Sequence, residues 1–202
     1  MADLLKVHRQ LPVRREVAAQ TRYRLYRDDL RQDFVGACGY CGDDDGRADP
    51  STFHIDHFAP KKLFPDFELT YENLVYACRF CNVSKSDHWI GNDPKVPHNG
   101  SQGFVDPCSD DFDVHLGRDA DGRIVAKTGL GSYIVRRLKL SLIRHELLWR
   151  ARKARALQED VDILIEKFNE SGKALPEYVS LLESYRELQK LINDYELRAI
   201  PR

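Results

Sequence analysis

The chain lacks any run of apolar residues long enough to cross a bilayer. Its opening residues, Met1-Ala2-Asp3-Leu4-Leu5-Lys6, lack the apolar core of a secretory signal. It has almost no net charge, formally −1 over 202 residues, so its overall balance does not advertise a nucleic-acid partner. It has no internal repeat and no low-complexity tract. These absences exclude a membrane-spanning helix and make a cytoplasmic globular protein the default expectation. Its length suffices for one good core with a small appendage. In that compartment thiols are free or metal-bound rather than joined as disulfides.

What is present is concentrated. Of five cysteines, four form two Cys-x-x-Cys pairs, Cys38/Cys41 and Cys78/Cys81, and Cys108 is left over. Paired knuckles of this kind present two sulfurs each, and four thiolates suit one tetrahedral zinc. Such a zinc would be structural, because four thiolates leave no open position for water. Gly36, Gly39 and Gly42 around the first pair let the backbone turn tightly enough for its amides to face metal-bound sulfur. Charge is also local. Arg14, Arg15, Arg22, Arg24, Arg27 and Arg31 crowd one segment, and Arg136, Arg137, Lys139, Arg144, Arg150, Arg152, Lys153 and Arg155 another. Each cluster is either a solvated helix face or a phosphate-binding surface.

The pattern predicts an α+β protein. A helix is expected from Pro12 to about Asp33, where no glycine or proline interrupts good helix formers. Short strands are expected over Thr52–Phe58 and Leu74–Ala77, and a helix start over Asn82–His88. Asp119-Ala120-Asp121-Gly122 separates two runs as a hairpin turn would. Tyr133–Glu170 reads as one long helix or two in series. Val135, Leu138, Leu142 and Trp149 form one stripe, and Leu140, Ile143, Leu147 and Ala151 another. Ser171-Gly172 reads as a turn, and Pro176 opens a last helix to about Leu197. The C-terminal part is therefore expected to be a helical hairpin. The domain expectation is an N-terminal helical segment at 1–35, a core with the hairpin at 36–130, and a helical region at 131–202.

Residues 38 to 85 resemble the HNH endonuclease family and its ββα-metal fold. The likeness runs through Cys38-Gly-Tyr-Cys41, Asp56-His57-Phe58-Ala59-Pro60, Glu72-Asn73-Leu74, Cys78-Arg-Phe-Cys81-Asn82 and Lys85. It implies a zinc-stabilised core, with His57 as the catalytic general base and Asn73 positioning the loop and the His57 ring. Asp56 and Asn82 would hold the catalytic divalent ion. A carboxylate with an amide oxygen is a hard donor set, which suits Mg²⁺ or Mn²⁺ more than zinc. Lys61, Lys62 and Lys85 are candidates for phosphate contacts, and His54 for an accessory role. The run from His54 to Lys61 is similar to a bacterial subgroup, some members of which accompany ATPases in phage-defence systems. That implies DNA as substrate and a protein partner such as an ATPase subunit, with no membrane. The rival expectations are a non-catalytic zinc module that binds nucleic acid, and a subunit of a larger nuclease complex. Cys108, His8, His88, His98, His115 and His145 show no partner pattern, and Trp89 and Trp149 read as packing residues.

Overall fold

The computed structural model describes residues 4–46, 52–171 and 175–200. It divides into two compact units, Met1–Ser141 and Leu142–Arg202. No helix among the described residues is long and apolar enough to cross a membrane.

The first unit is mixed α and β. A 3₁₀ turn at Tyr23–Tyr26 leads into α1 (Arg27–Asp33). Strand β1 (Phe53–His57) pairs antiparallel with β2 (Leu74–Cys78), in a register that sets Asp56 opposite Val75 and His57 opposite Leu74. Helix α2 (Arg79–Lys85) follows β2 directly. A turn of helix, α3 (Phe112–His115), precedes the second sheet, in which β3 (Leu116–Arg118) pairs with β4 (Ile124–Ala126). Helix α4 (Gly129–Arg137) closes the unit. Every residue of β2 is buried. It packs with Leu30, Phe34, Phe104, Phe112, Leu130 and Ile134 in one continuous core. β2 therefore reads as a continuous apolar run rather than an alternating one.

The N-terminal helix is shorter than the sequence predicts. Residues 11–20 form no helix, and helical structure begins at Tyr23. The arm's peptide groups and side chains bond across the fold instead. Val13 N–H donates to the Asp33 carbonyl at 3.3 Å, and Arg15 N–H to the Asp33 carboxylate at 2.9 Å. Arg14 donates to the Leu74 carbonyl at 3.0 Å and pairs with Asp106 at 2.9 Å. Tyr71 Oη donates to the same Asp33 carboxylate at 2.7 Å. Burial favours the neutral acid, but these donors together hold the Asp33 carboxyl below its ordinary range.

The run from Gly129 is two helices in series. The stop carries no glycine. Lys139 adopts the left-handed conformation (φ +54°), Leu140 N–H reaches the Val135 carbonyl at 2.9 Å, and Lys139 N–H reaches Arg136 at 3.3 Å. This is the double-bonded Schellman ending. It breaks the common register of the two expected stripes: Leu138 and Leu140 are buried, whereas Leu142 and Ile143 are exposed. Helix α1 ends the same way on Val35 (φ +53°), with Gly36 N–H on the Arg31 carbonyl at 2.7 Å. Helix α2 begins three residues before the expected start, because Cys78 is still extended and Arg79 is the first helical residue.

The second unit contains α5 (Ile143–Ser171) and α6 (Leu175–Ala199). Arg155 pairs with Glu196, and Gln158 donates to Gln189 at 3.1 Å. Rising numbers on α5 thus meet falling numbers on α6, so the helices run antiparallel. Ala154, Ile165, Ile192 and Ala199 are buried along them. Ser171 is helical, and the rest of the expected turn, Gly172, lies outside the described residues.

A β-branched residue at positive φ is strained by about 1 kcal/mol or more. The Val35 side chain is 54% exposed, so removing it forfeits little packing. Val35→Gly is expected to stabilise the protein by about 1 kcal/mol, read from the midpoint of urea unfolding.

Candidate active site

The two cysteine pairs meet. Cys38 and Cys41 lie in the turn before β1, Cys78 ends β2, and Cys81 sits in the first turn of α2. All four thiols are buried with their sulfurs within 4.8 Å of one another, and Cys41 and Cys78 are 3.8 Å apart. Zinc–sulfur bonds of about 2.3 Å in a tetrahedron space the sulfurs by about 3.8 Å. The cluster therefore has the dimensions of a four-thiolate zinc site. Gly39 is required there for space: a Cβ would lie 2.6 Å from the Phe34 ring and 2.8 Å from Val75. Arg118, fully buried on β3, donates to the Cys41 carbonyl at 2.5 Å and to Gly122 at 2.6 Å. The second sheet is thereby tied to the first knuckle. Cys108 is outside the cluster, and burial pushes its thiol up to about 12.

Strand alternation puts His54 and Asp56 on one face of β1, and α2 lies against them. Asn82 and the His54 Nδ1 atom are 3.1 Å apart. One turn further along α2, Lys85 Nζ lies 3.0 Å from Asp56 Oδ2 and donates to the His57 carbonyl at 2.9 Å. Tyr40, from inside the first knuckle, donates its hydroxyl to Asp56 Oδ2 at 2.5 Å. Asp56 Oδ2 thus holds two partners, whereas Oδ1 has one long contact, 3.4 Å from Lys85. Burial raises the Asp56 carboxyl above its ordinary range, against the lowering pull of Lys85. Lys85, a candidate for a phosphate contact, is 0% exposed. Its ammonium neutralises a carboxylate that would otherwise be buried unpaired.

His57 lies at the end of β1. Its Nε2 is 3.0 Å from the Glu68 carbonyl oxygen, and the Tyr23 ring packs edge-on against it with centroids 4.8 Å apart. Burial holds its pKa below 6.5, the Lys61 charge acting in the same direction. Asn73 is buried behind this loop. It accepts from Ala59 N–H at 2.7 Å and donates to the Ala59 and Phe67 carbonyls at 3.0 and 3.2 Å. It therefore joins Ala59 to Phe67, beside Glu68, and its side chain bonds to no other candidate residue among the described residues. Lys61 pairs with the Glu68 carboxylate at 2.7 Å, and Lys62 with Asp87 at 2.8 Å, both in partly exposed positions.

Residues 38–88 match the family model of the HNH endonuclease. These residues are an HNH domain. The matched segment holds all four clustered cysteines together with Asp56, His57, Asn73 and Asn82. The chain is also similar to protein ea31 of Escherichia phage lambda, with 37% identity over 62 residues. That alignment covers 31% of this chain and 19% of the phage protein. No solved structure matches.

Sequence reasoning missed three contributors. Tyr40 was legible only as the residue between two ligands, although its phenol is the sole hydroxyl in the knuckle. Glu68 acts through its backbone carbonyl, which no side-chain pattern reports. Tyr23 comes from the arm outside the matched segment.

Two outcomes are expected. Purified protein carries one zinc per chain by elemental analysis, and Cys41→Ser loses both the zinc and the cooperative thermal transition. Lys85→Met strands the Asp56 carboxylate and costs about 3–5 kcal/mol in urea unfolding, a loss that Asp56→Asn in the same chain largely relieves.

Proposed function

We propose that the HNH domain is a metal-dependent endonuclease that hydrolyses DNA phosphodiester bonds. The observation that supports this most is the contact between His57 and the Glu68 carbonyl. A carbonyl oxygen only accepts, so Nε2 must carry the ring proton. In the neutral ring the lone pair is then on Nδ1, and burial keeps the ring neutral near pH 7. A neutral imidazole in a fixed tautomer is what a general base needs to take a proton from water attacking phosphorus. Asn73 has a positioning role, because it holds the loop whose carbonyl fixes that tautomer.

Asp56 and Asn82 would hold the divalent ion, Mg²⁺ or Mn²⁺. The donor set fits a hard cation. Asp56 Oδ1 keeps lone pairs that no short hydrogen bond uses, and Asn82 lies one turn of α2 from the residue that pairs with Asp56. When bound, such an ion stabilises charge on the phosphate and the leaving 3′ oxygen. His54, beside Asn82, orients its amide. The expected products carry 5′-phosphate and 3′-hydroxyl ends. The resemblance of the His54–Lys61 run supports a setting in bacterial anti-phage defence, with a protein partner such as an ATPase subunit.

The test is cleavage of supercoiled plasmid in Mg²⁺ or Mn²⁺. Nicking or linearisation is expected, and EDTA or His57→Ala is expected to abolish it. A folded, zinc-loaded sample that cuts nothing in either metal would sink the reading. The base must be deprotonated to work, and its pKa lies below 6.5. Activity should therefore be level at neutral pH and decline only as pH falls below about 6.5, measured as initial rates.

A further inference from the structure

The arm preceding the matched segment brings Tyr23 to the candidate base and Arg24 to Tyr23. Tyr23 packs on the His57 ring. Two positive groups lie over Tyr23 itself: Lys61 Nζ is 4.4 Å from the ring centroid, and the Arg24 guanidinium carbon 5.9 Å. Arg24 Nε also lies 3.4 Å from the Tyr23 hydroxyl. The Lys61 ammonium is shared with Glu68. Arg24 is exposed and has no acidic partner among the described residues. Of the two cations over Tyr23, Arg24 is thus the one without a carboxylate partner among the described residues.

The placement is built rather than incidental. Tyr23 and Arg24 open the 3₁₀ turn that runs into α1, and α1 is anchored by fully buried Leu30 and by the Asp33 carboxylate that receives Arg15 and Tyr71. Tyr23 is the group packed on the His57 ring, and Lys61 and Arg24 lie over Tyr23, one ring further out, so a backbone whose phosphodiester reaches His57 brings its neighbouring phosphate toward them.

We propose that Tyr23 and Arg24 are part of the nucleic-acid site: Arg24, with Lys61, binds a backbone phosphate next to the one attacked, and Tyr23 forms the wall that holds the His57 ring. This rests on the proposed function, since it takes His57 to act on a phosphodiester. The domain's phosphate contacts thus extend beyond residues 38–88.

The test uses the full chain with His57→Ala, to prevent turnover, and anisotropy of a fluorescein-labelled DNA duplex over a salt series. Adding Arg24→Ala should weaken binding about fivefold and lower the slope of log affinity against log salt by about 0.9, the signature of one lost phosphate contact. Arg24→Lys should keep the slope. Arg186→Ala, an exposed arginine on α6, should change neither. Melting temperatures should be equal throughout, because Arg24 supports no buried group. An unchanged slope for Arg24→Ala, an equal loss for Arg186→Ala, or no duplex binding by the His57→Ala parent would overturn the proposal. Plasmid cleavage by the wild-type chain is scored separately. Cleavage with an unchanged Arg24 slope rejects the contact and keeps the nuclease. A lost slope without cleavage keeps the contact and rejects the nuclease.

Discussion

Four sulfurs gathered within 4.8 Å of one another set the geometry of everything around them. The two knuckles come from a glycine-rich turn and from the junction of β2 with α2, segments almost forty residues apart. Joining them aligns β1 against β2 and starts α2 at a fixed point. It also delivers Tyr40 to Asp56, since Tyr40 lies between two of the ligating positions. A short two-stranded sheet is marginal by itself. Here Arg118 and the continuous burial of β2 support it from either side of the cluster. The catalytic candidates stand on elements next to the thiol cluster, so a zinc held there would support the proposed chemistry as well as stability.

Much of this was legible because its chemistry is written in residue types at fixed spacing. Cys-x-x-Cys twice, Asp-His in a β-branched run, and Asn after the last cysteine each name an atom that must go somewhere. The strands followed for the same reason: apolar runs of the right length sat between the motifs. What stayed hidden was geometry made by backbone. Nothing in Lys139 or Val35 announces a left-handed residue, yet each ends a helix. The arm before Tyr23 has helix-forming composition, but its amides and guanidinium groups find partners on Asp33, Leu74 and Asp106 that only the folded chain supplies. Tertiary bonds outcompeted propensity there.

The Asp56–Lys85 pair shows the same limit on the chemical side. Lysine three residues after Asn82 looks like a surface cation, because lysine is rarely buried. The spacing places it on the face of α2 that meets β1, where Asp56 waits without a counter-charge. Burying either alone would be costly. Burying both, with Tyr40 completing the shell of Oδ2, is tolerable. The buried ammonium of Lys85 is therefore explained by the carboxylate it neutralises, without appeal to the substrate.

That pairing bears on the divalent ion proposed for Asp56 and Asn82. A site whose carboxylate already has a cation is close to neutral before the metal arrives. An ion held by Asp56 would meet Lys85 as well, and like charges oppose one another. Affinity for such an ion would then come from the neutral donors and from the phosphate itself, which would bring the negative charge the protein withholds. Such an ion would be held weakly by the protein alone and more firmly with substrate. It also gives the cations at the rim a purpose: by drawing the backbone to His57, Lys61 and Arg24 would supply the phosphate that completes the ion's coordination.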